Sequence, residues 1–367
     1  MIKDTQQKLK AVRYCVAMGM VPYLEVVVRF AEDTAATPAD ITDVDVLGIQ
    51  PAAALAGKRI FFDCKTSQKM SAINRALWAG GLRQMINADE GFVILAKAAP
   101  QGHRLAGNAI GVRLFSETLF EGFAVAASKD YALPSSYLEQ ISTWDAVVKI
   151  REQYPALREI VDFLNCQAPL EDSAVVGIRS LVSNLKRVQG ELDPNKAPHR
   201  ALFGLMVAQA LVFLSAMART YHNMFDPAGN ANEFEESLRY FVWGGREAYE
   251  LRQRLNVALK SARGVEAAAQ FDFPGWAQFL EMFRSFLDAP FTLGPACLPI
   301  KDLAFRELST PDPKIDARLV KRLQVNNRVR QYAISAASYL VSASKLPKEF
   351  KDHFAANINT MLSGAEP

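Results

Sequence analysis

The chain has 367 residues, of which 50% are hydrophobic and 22% charged, and its formal net charge is +3. This length is too great for one small domain, and the hydrophobic content excludes a disordered chain, so we expect two or three units with a buried core. The mild positive charge neither requires nor excludes a nucleic-acid partner.

The spacing of the cysteines argues against two further classes of protein. No two of the cysteines have C-x-x-C spacing, which argues against a disulfide scaffold and against a structural zinc site. The four cysteines are Cys15, Cys64, Cys166 and Cys297. The N-terminal residues lack the apolar core of a secretion signal, so we expect a reducing cytoplasm.

The first part of the chain alternates between β-rich and helical patterns, which is typical of an α/β domain, and we place that domain at residues 1–128. The pattern predicts five strands between helices. In chain order, the predicted elements are a helix at 4–18, strands at 21–30, 41–49 and 59–65, a helix at 71–87, a strand at 92–97, a short helix at 105–110 and a strand at 112–115.

Residues 129–367 have a mostly helical pattern, and we interpret them as a helical regulatory or partner-binding domain. Apolar residues recur at helical spacing in 175–185, 234–261 and 315–343. The paired glycines Gly244 and Gly245 predict a break or packing turn. Glycine and proline accumulate in 289–313, which we interpret as a long connection, with a further boundary near 290–313.

One segment, 201–218, is apolar enough to raise the question of a membrane-spanning helix. It contains eighteen uncharged residues between Arg200 and Arg219, which is the lower limit for a membrane span. Its alanines and the polar Gln209 and Ser215 favour a buried helix of a soluble bundle instead. We therefore expect no membrane partner, with a membrane helix as the alternative.

Two predicted strands carry acids inside apolar runs. Residues two apart in a strand point to the same face, so Asp63 and Lys65 project together, as do Asp43 and Asp45. Charges in a buried strand are costly unless they are paired or bound to a metal. Two carboxylates and a lysine at a strand end suit Mg²⁺-assisted hydrolysis of a phosphodiester, in which the lysine stabilises developing charge.

Asp45, followed 18 residues later by Asp63-Cys64-Lys65, resembles the D…(D/E)-x-K signature of the PD-(D/E)xK restriction-endonuclease-like nuclease superfamily, in the form found in Mrr-like and Holliday-junction-resolvase-like branches. The resemblance covers about the first 120 residues and implies a restriction-endonuclease-like αβββαβ core. The alternative is an ordinary α/β protein with a salt bridge between Asp63 and Lys65.

The resemblance also implies roles for individual residues. Asp45, Asp63 and the backbone carbonyl of Cys64 would bind Mg²⁺ or Mn²⁺, and Lys65 would be the catalytic lysine. Many members add an acid from the first helix, for which Asp4 is a poor match. The further residues that we assign to the site are Glu25, Asp43 and Gln68.

The distribution of charge agrees with a nucleic-acid partner. It does not distinguish DNA from RNA, and we expect DNA. Eight basic and three acidic residues lie between Lys58 and Arg104, and such a surface attracts a phosphate backbone. A second basic cluster occupies 314–330. A solvated surface is the alternative in both places. The residues that we assign to backbone contacts are Lys69, Arg75, Arg83, Lys321 and Arg322.

The sequence therefore leaves two functions. The first is a Mg²⁺-dependent endonuclease acting as an effector in restriction or antiphage defence, whose helical domain binds a protein partner or a second copy. The second is a non-catalytic nucleic-acid-binding or assembly subunit with a nuclease-like fold. The sequence contains no G-x-x-x-x-G-K-[ST] loop, so any motor would belong to a partner.

Overall fold

The computed structural model describes residues 4–30, 39–53, 55–66, 71–226, 229–263 and 273–364. Within these ranges, the first part of the chain forms a mixed five-stranded sheet with helices, and the rest is helical. The predicted order of an α/β part followed by a helical part is therefore confirmed.

The sheet has its strands in chain order, so each strand pairs with its sequence neighbours. The first three strands are antiparallel to one another, whereas the third, fourth and fifth are parallel. All five lie where the alternating pattern predicts strands. Their bounds are β1 Val21–Phe30, β2 Ala39–Gln50, β3 Lys58–Lys65, β4 Glu90–Leu95 and β5 Val112–Ser116.

Helices connect the parallel strands and cover the sheet. The side chain of Ser71 caps the helix after β3, and Ser116 caps the helix after β5, because a serine oxygen satisfies an unpaired amide of the first turn. This last helix is not among those predicted. The helices in the described residues of this part are α1 Thr5–Ala17, α2 Ala72–Met85, α3 Gln101–Ala109 and α4 Glu117–Ala127.

The helical part packs around one long buried helix, α8. The segments 234–261 and 315–343 each form two helices. The break in the first is at Gly244, whose φ is +82°, as the paired glycines predict. The α-helices of this part are α5 Ile141–Gln153, α6 Arg158–Asp162, α7 Ala174–Val188, α8 Ala197–Met224, α9 Ala231–Trp243, α10 Arg246–Arg263, α11 Trp276–Leu287, α12 Gly294–Arg306, α13 Pro313–Leu323, α14 Asn327–Ser344 and α15 Glu349–Ser363.

The prediction of a long connection at 289–313 is wrong, because α12 occupies most of it. Pro295 lies in the first turn, where a missing amide costs nothing, and Pro299 lies inside the helix. Packing compensates for the hydrogen bond lost there: α12 is almost wholly buried and lies so close to α8 that a Cβ on Gly204 would be 2.8 Å from Ala304. Tertiary burial here overrides local propensity.

Helix α8 contains the apolar segment 201–218. Among the described residues it is the one helix long and apolar enough to cross a membrane, yet 94% of its most apolar window is buried inside the protein. The core of a soluble bundle and a membrane span both satisfy the test of length and composition, so the absence of a membrane partner stays a prediction.

The helical part covers the β1 edge of the sheet through buried polar contacts. The hydroxyl of Tyr23 donates to Gln209 Oε1 at 2.6 Å, and Lys301 Nζ donates to the carbonyl of Pro22 at 2.6 Å. Lys301 also lies 3.4 Å from the centre of the Tyr23 ring, and burial lowers its pKa well below the usual range. A covered edge strand cannot pair with another chain.

The close packing of α7 on α8 depends on Gly177. A Cβ at this position would lie 2.4 Å from the ring of Phe213, whereas nothing lies within 4 Å of a Cβ on Gly81 in α2. We expect Gly177→Ala to lower the free energy of unfolding by about 1–3 kcal/mol through overpacking. Gly81→Ala should raise it by up to about 1 kcal/mol, because alanine favours a helix.

Urea denaturation of both variants checks this prediction. Equal stability of the two variants would show that α7 and α8 do not pack as described.

Candidate active site at the ends of β2 and β3

Two aspartates meet where β2 and β3 separate. The antiparallel register pairs Val46 with Phe62, so Asp45 and Asp63 face each other one step beyond the last pair. Both are only 3% exposed. Two buried carboxylates side by side repel each other strongly unless cations compensate them. The predicted juxtaposition of these two acids is present in the fold.

Lys65 bridges the two aspartates. Its Nζ lies 3.1 Å from Asp45 Oδ2 and 3.2 Å from Asp63 Oδ1. Burial alone would lower the pKa of Lys65, but the charges of Asp63 and Asp45 outweigh burial and raise it. Lys65 is therefore a protonated ammonium at neutral pH, suited to stabilising negative charge rather than to accepting a proton.

The backbone between the two motif residues also contacts Asp45. The amide of Cys64 donates to Asp45 Oδ2 at 2.7 Å. The Cys64 thiol is fully buried, and burial raises its pKa well above the usual range, so the sulfur stays a neutral thiol. The role of the Cys64 carbonyl as a metal ligand stays a prediction.

Glu25 completes a set of three acids and has an unusual backbone conformation. Its φ is +55°, in the left-handed region, and the register of β1 and β2 skips it between the pairs Leu24–Val46 and Val26–Val44. The left-handed region costs a residue with a Cβ about 1–2 kcal/mol. The register of β1 and β2 is the same on both sides of Glu25, so Glu25 is directly across from Asp45 and adds a third carboxylate to the same strand edge.

Lys8 of α1 neutralises this third acid. Its Nζ pairs with Glu25 and lies 2.9 Å from Asp45 Oδ1. Burial alone would lower the pKa of Lys8. The hydrogen bond to Glu25 and the negative charge of Asp45 together outweigh burial, so the pKa is raised. Glu25 keeps a raised pKa because its own burial outweighs the effect of Lys8. Lys8 is only 2% exposed, so the pair is fixed.

Arg75 holds the third cationic position. Its guanidinium donates from two nitrogens to the two oxygens of Asp63, and its carbon lies 3.5 Å from the centre of the Trp78 ring. We assigned Arg75 to a nucleic-acid contact, whereas here its fork is occupied by Asp63. We call the six side chains the strand-edge cluster, with the acids Glu25, Asp45 and Asp63 and the cations Lys8, Lys65 and Arg75.

Gln7 and Lys8 are not among the predicted site residues, although the sequence contains a signal for both. In helix α1, Lys8 shares a face with the buried Val12 and Cys15, and Gln7 shares one with Ala11. Polar residues on the buried face of an amphipathic helix need partners within the protein.

Gln7 brings a further oxygen close to the cluster. Its Nε2 donates to Glu117 Oε1 at 2.9 Å and to the carbonyl of Lys65 at 3.4 Å. Both partners are acceptors, which fixes the orientation of the amide. Gln7 Oε1 is consequently buried with no hydrogen-bond partner in the described parts of the chain.

The remaining acids and polar residues of the motif lie outside the cluster. Asp43 is exposed on β2, on the same face as Asp45. Asp4 accepts a hydrogen bond from Thr66 at 2.5 Å, just beyond β3. Gln68 and Lys69 lie outside the described residues, so their predicted roles stay predictions.

Two of the basic residues assigned to nucleic-acid contacts are engaged elsewhere. Arg83 donates to the carbonyl of Asp89 at 3.2 Å, before β4. Arg322 donates to the buried carboxylate of Asp302 at 2.5 Å and to the carbonyl of Ser135 at 2.7 Å. Arg322 is therefore structural, and we exclude it from the interface that we propose. Lys321 is exposed.

The second basic cluster does not lie at the strand-edge cluster. Arg318 of α13 is 3.9 Å from Asp130, beyond the last residue of α4. Glu117, the first residue of α4, contacts Gln7 beside the strand-edge cluster. At 1.5 Å per residue, the length of α4 alone separates the two places by roughly 16 Å.

The donor chemistry fits a hard divalent ion. Asp45 and Asp63 offer carboxylate oxygens, and Lys65 already places a positive charge between them. Gln7, whose amide contacts the carbonyl of Lys65, has a buried Oε1 without a partner. Within the described ranges, however, no group of three or more His, Cys, Asp or Glu side chains is arranged to hold a metal. The carboxylate oxygens of the cluster are paired with its lysine and arginine side chains instead.

Comparisons with protein-family models, with curated proteins and with solved structures find no match to this chain. The assignment of a function therefore depends on the chemistry of the site.

The pairing of Lys8 can be tested by its removal. We expect Lys8→Met to lower the free energy of unfolding by about 3 kcal/mol at pH 7, because it leaves Glu25 without its cation and Asp45 with Lys65 alone. Burial already raises the pKa of Glu25, and the loss of Lys8 would raise it further, so the folded state would bind an extra proton. The deficit relative to the wild type should therefore shrink as the pH falls from 7 to 4.

Lys10→Met is the matched control on the same helix. Lys10 is partly exposed and lies 3.4 Å from Glu117 and 3.2 Å from Glu121. Its removal should cost less than about 1 kcal/mol. Denaturant titrations at pH 4, 5.5 and 7 measure both variants, and a deficit of Lys8→Met that does not change with pH would contradict the pairing.

Proposed function

We propose that the chain is a metal-dependent nuclease that hydrolyses phosphodiester bonds of DNA, with residues 1–128 as a restriction-endonuclease-like catalytic domain. The observation that carries the proposal is the convergence of Asp45, Asp63 and Lys65, with Lys65 Nζ within 3.2 Å of both aspartates. The strand order, with three antiparallel strands followed by two parallel additions, supports a core of this type.

The residues divide the chemistry between them. Mg²⁺ or Mn²⁺, held by Asp45, Asp63 and the carbonyl of Cys64, would polarise the scissile phosphate and acidify a water. Lys65 donates a hydrogen bond to a phosphate oxygen and stabilises the charge that develops during displacement. Lys8 and Glu25 hold Asp45 in place. Gln7 Oε1 accepts a hydrogen bond from the attacking water and orients it.

The helical part has a separate place in the proposal. Residues 129–367 would bind a protein partner or a second copy, and the enzyme would act as an effector in restriction or antiphage defence. The support for this role is the resemblance of the motif to restriction nucleases, together with a helical part that is joined to the sheet through β1.

The charge balance of the cluster favours a second candidate. Three acids face three cations, so the strand-edge cluster is neutral and holds α1, β1, β2, β3 and α2 together without a metal ion. A non-catalytic nucleic-acid-binding or assembly subunit would need nothing more. Activity measurements separate the two candidates.

We expect the purified protein to cleave duplex or single-stranded DNA with Mg²⁺ or Mn²⁺, and EDTA to stop the reaction. Asp63→Asn and Lys65→Met should each lower the rate at least about 100-fold, because the first removes a charged metal ligand and the second removes the positive charge placed at the reacting phosphate. Gel assays of plasmid and oligonucleotide cleavage measure the rates.

Asp40→Asn is the matched control, since Asp40 lies on the same strand as Asp45 but is exposed and pairs with Arg29 at 2.8 Å. It should cleave like the wild type. Equal rates in Asp63→Asn, Lys65→Met and the wild type would refute the catalytic assignment. DNA binding without cleavage, unchanged in these variants, would favour the second candidate.

A further inference from the structure

Arg75 occupies the carboxylate that a metal ion would need. Both oxygens of Asp63 accept hydrogen bonds from its guanidinium, and Asp63 itself is buried. An ion bound by Asp63 would lie beside this guanidinium at a place where little water screens the repulsion. Arg75 and a divalent ion therefore compete for the same acid.

The charge of the cluster makes the same point. The strand-edge cluster has three negative and three positive side chains, so it is neutral as it stands. A divalent ion would leave an excess of two positive charges in a buried place, which is unfavourable unless a cation leaves or an anion arrives.

The number of acids that each cation contacts identifies the one that can leave, since exposure alone does not: Lys65 is 25% exposed and Arg75 17%. The side chain of Lys8 is 3% exposed and contacts two acids, and Lys65 likewise bridges two acids. Arg75 contacts Asp63 alone, is 17% exposed and lies against Trp78, which provides a surface independent of Asp63. Arg75 is therefore the cation with the fewest ties to the cluster.

The guanidinium also has an alternative partner of matching shape. Arginine binds carboxylates and phosphates through the same planar fork of two N–H groups. A phosphate of the substrate is an anion that can draw Arg75 away from Asp63 and restore the charge balance when the ion binds.

We propose that Arg75 is a substrate-gated switch: without nucleic acid it clamps Asp63 and weakens metal binding, and a substrate phosphate takes over its guanidinium so that metal and nucleic acid bind cooperatively. This inference rests on the proposed nuclease function. By reciprocity, the factor by which nucleic acid tightens metal binding equals the factor by which metal tightens nucleic-acid binding.

Two binding measurements test the switch without reference to turnover. The first is the affinity for Mn²⁺ in the absence of DNA, followed by the electron paramagnetic resonance signal of free Mn²⁺. The second is the affinity for a fluorescein-labelled 20-base-pair duplex with phosphorothioate linkages, measured by anisotropy with and without Mn²⁺ at constant ionic strength.

We expect Arg75→Gln to bind Mn²⁺ at least about fivefold more tightly than the wild type without DNA, at the lower end of typical coupling factors. Mn²⁺ should tighten duplex binding at least about fivefold in the wild type and less than about twofold in Arg75→Gln. Arg83→Gln, on the same helix but bonded to a backbone carbonyl, should have the Mn²⁺ affinity of the wild type.

Arg75→Lys keeps the positive charge but lacks the two-nitrogen fork, so its Mn²⁺ affinity should lie between those of the wild type and Arg75→Gln. It also provides the test if Arg75→Gln does not fold, which circular dichroism and thermal unfolding will show. Mn²⁺ affinities of both Arg75 variants within twofold of the wild type would overturn the switch and leave the nuclease proposal standing. Absence of Mn²⁺ binding in every protein, with no cleavage of DNA by the wild type, would overturn both.

Discussion

The structure around the proposed site depends on one constraint, which is that carboxylates buried at a sheet edge must have cations beside them. Asp45 and Asp63 come from neighbouring strands, and at 3% exposure they have little solvent beside them to screen their repulsion. The cations come from α1, from β3 itself and from α2. The packing of both helices against the sheet is thus coupled to the charge of the acids.

This coupling links the chemistry of the site to the rest of the fold. Helix α1 is fixed to the sheet by Lys8, and the same sheet is joined to the helical part at its other face and edge through Tyr23 and Lys301. Strand β1 takes part in both contacts, since it carries Glu25 as well as Tyr23. A displacement of the helical part that moves β1 at Tyr23 would therefore also move Glu25 relative to the other acids of the cluster.

Sequence patterns predicted the sheet and the acid–lysine pair because both are local properties. Alternation with a period of two marks a strand and places Asp63 and Lys65 on one face wherever that strand lies. They did not predict α12, because its helicity is set by burial against α8 rather than by its own composition. Nor did they predict Lys8 and Arg75 as partners, since the contacts join residues 37 and 12 positions apart in sequence, which only the register of the sheet and the helix positions determine.

The backbone of Glu25 lowers the stability of the protein, whereas its carboxylate contributes to the charge of the proposed site. A residue with a Cβ in the left-handed region is less stable there than glycine by about 1–2 kcal/mol. Selection for heat resistance alone would favour glycine at this place in β1. Selection for a charged strand edge favours glutamate. Lys8 now pairs with Glu25 and Asp45, and glycine at position 25 would remove the first of these two partners. A thermostabilising screen of this protein would consequently tend to enrich changes at Glu25 that relax the backbone and alter the charge of the site at the same time.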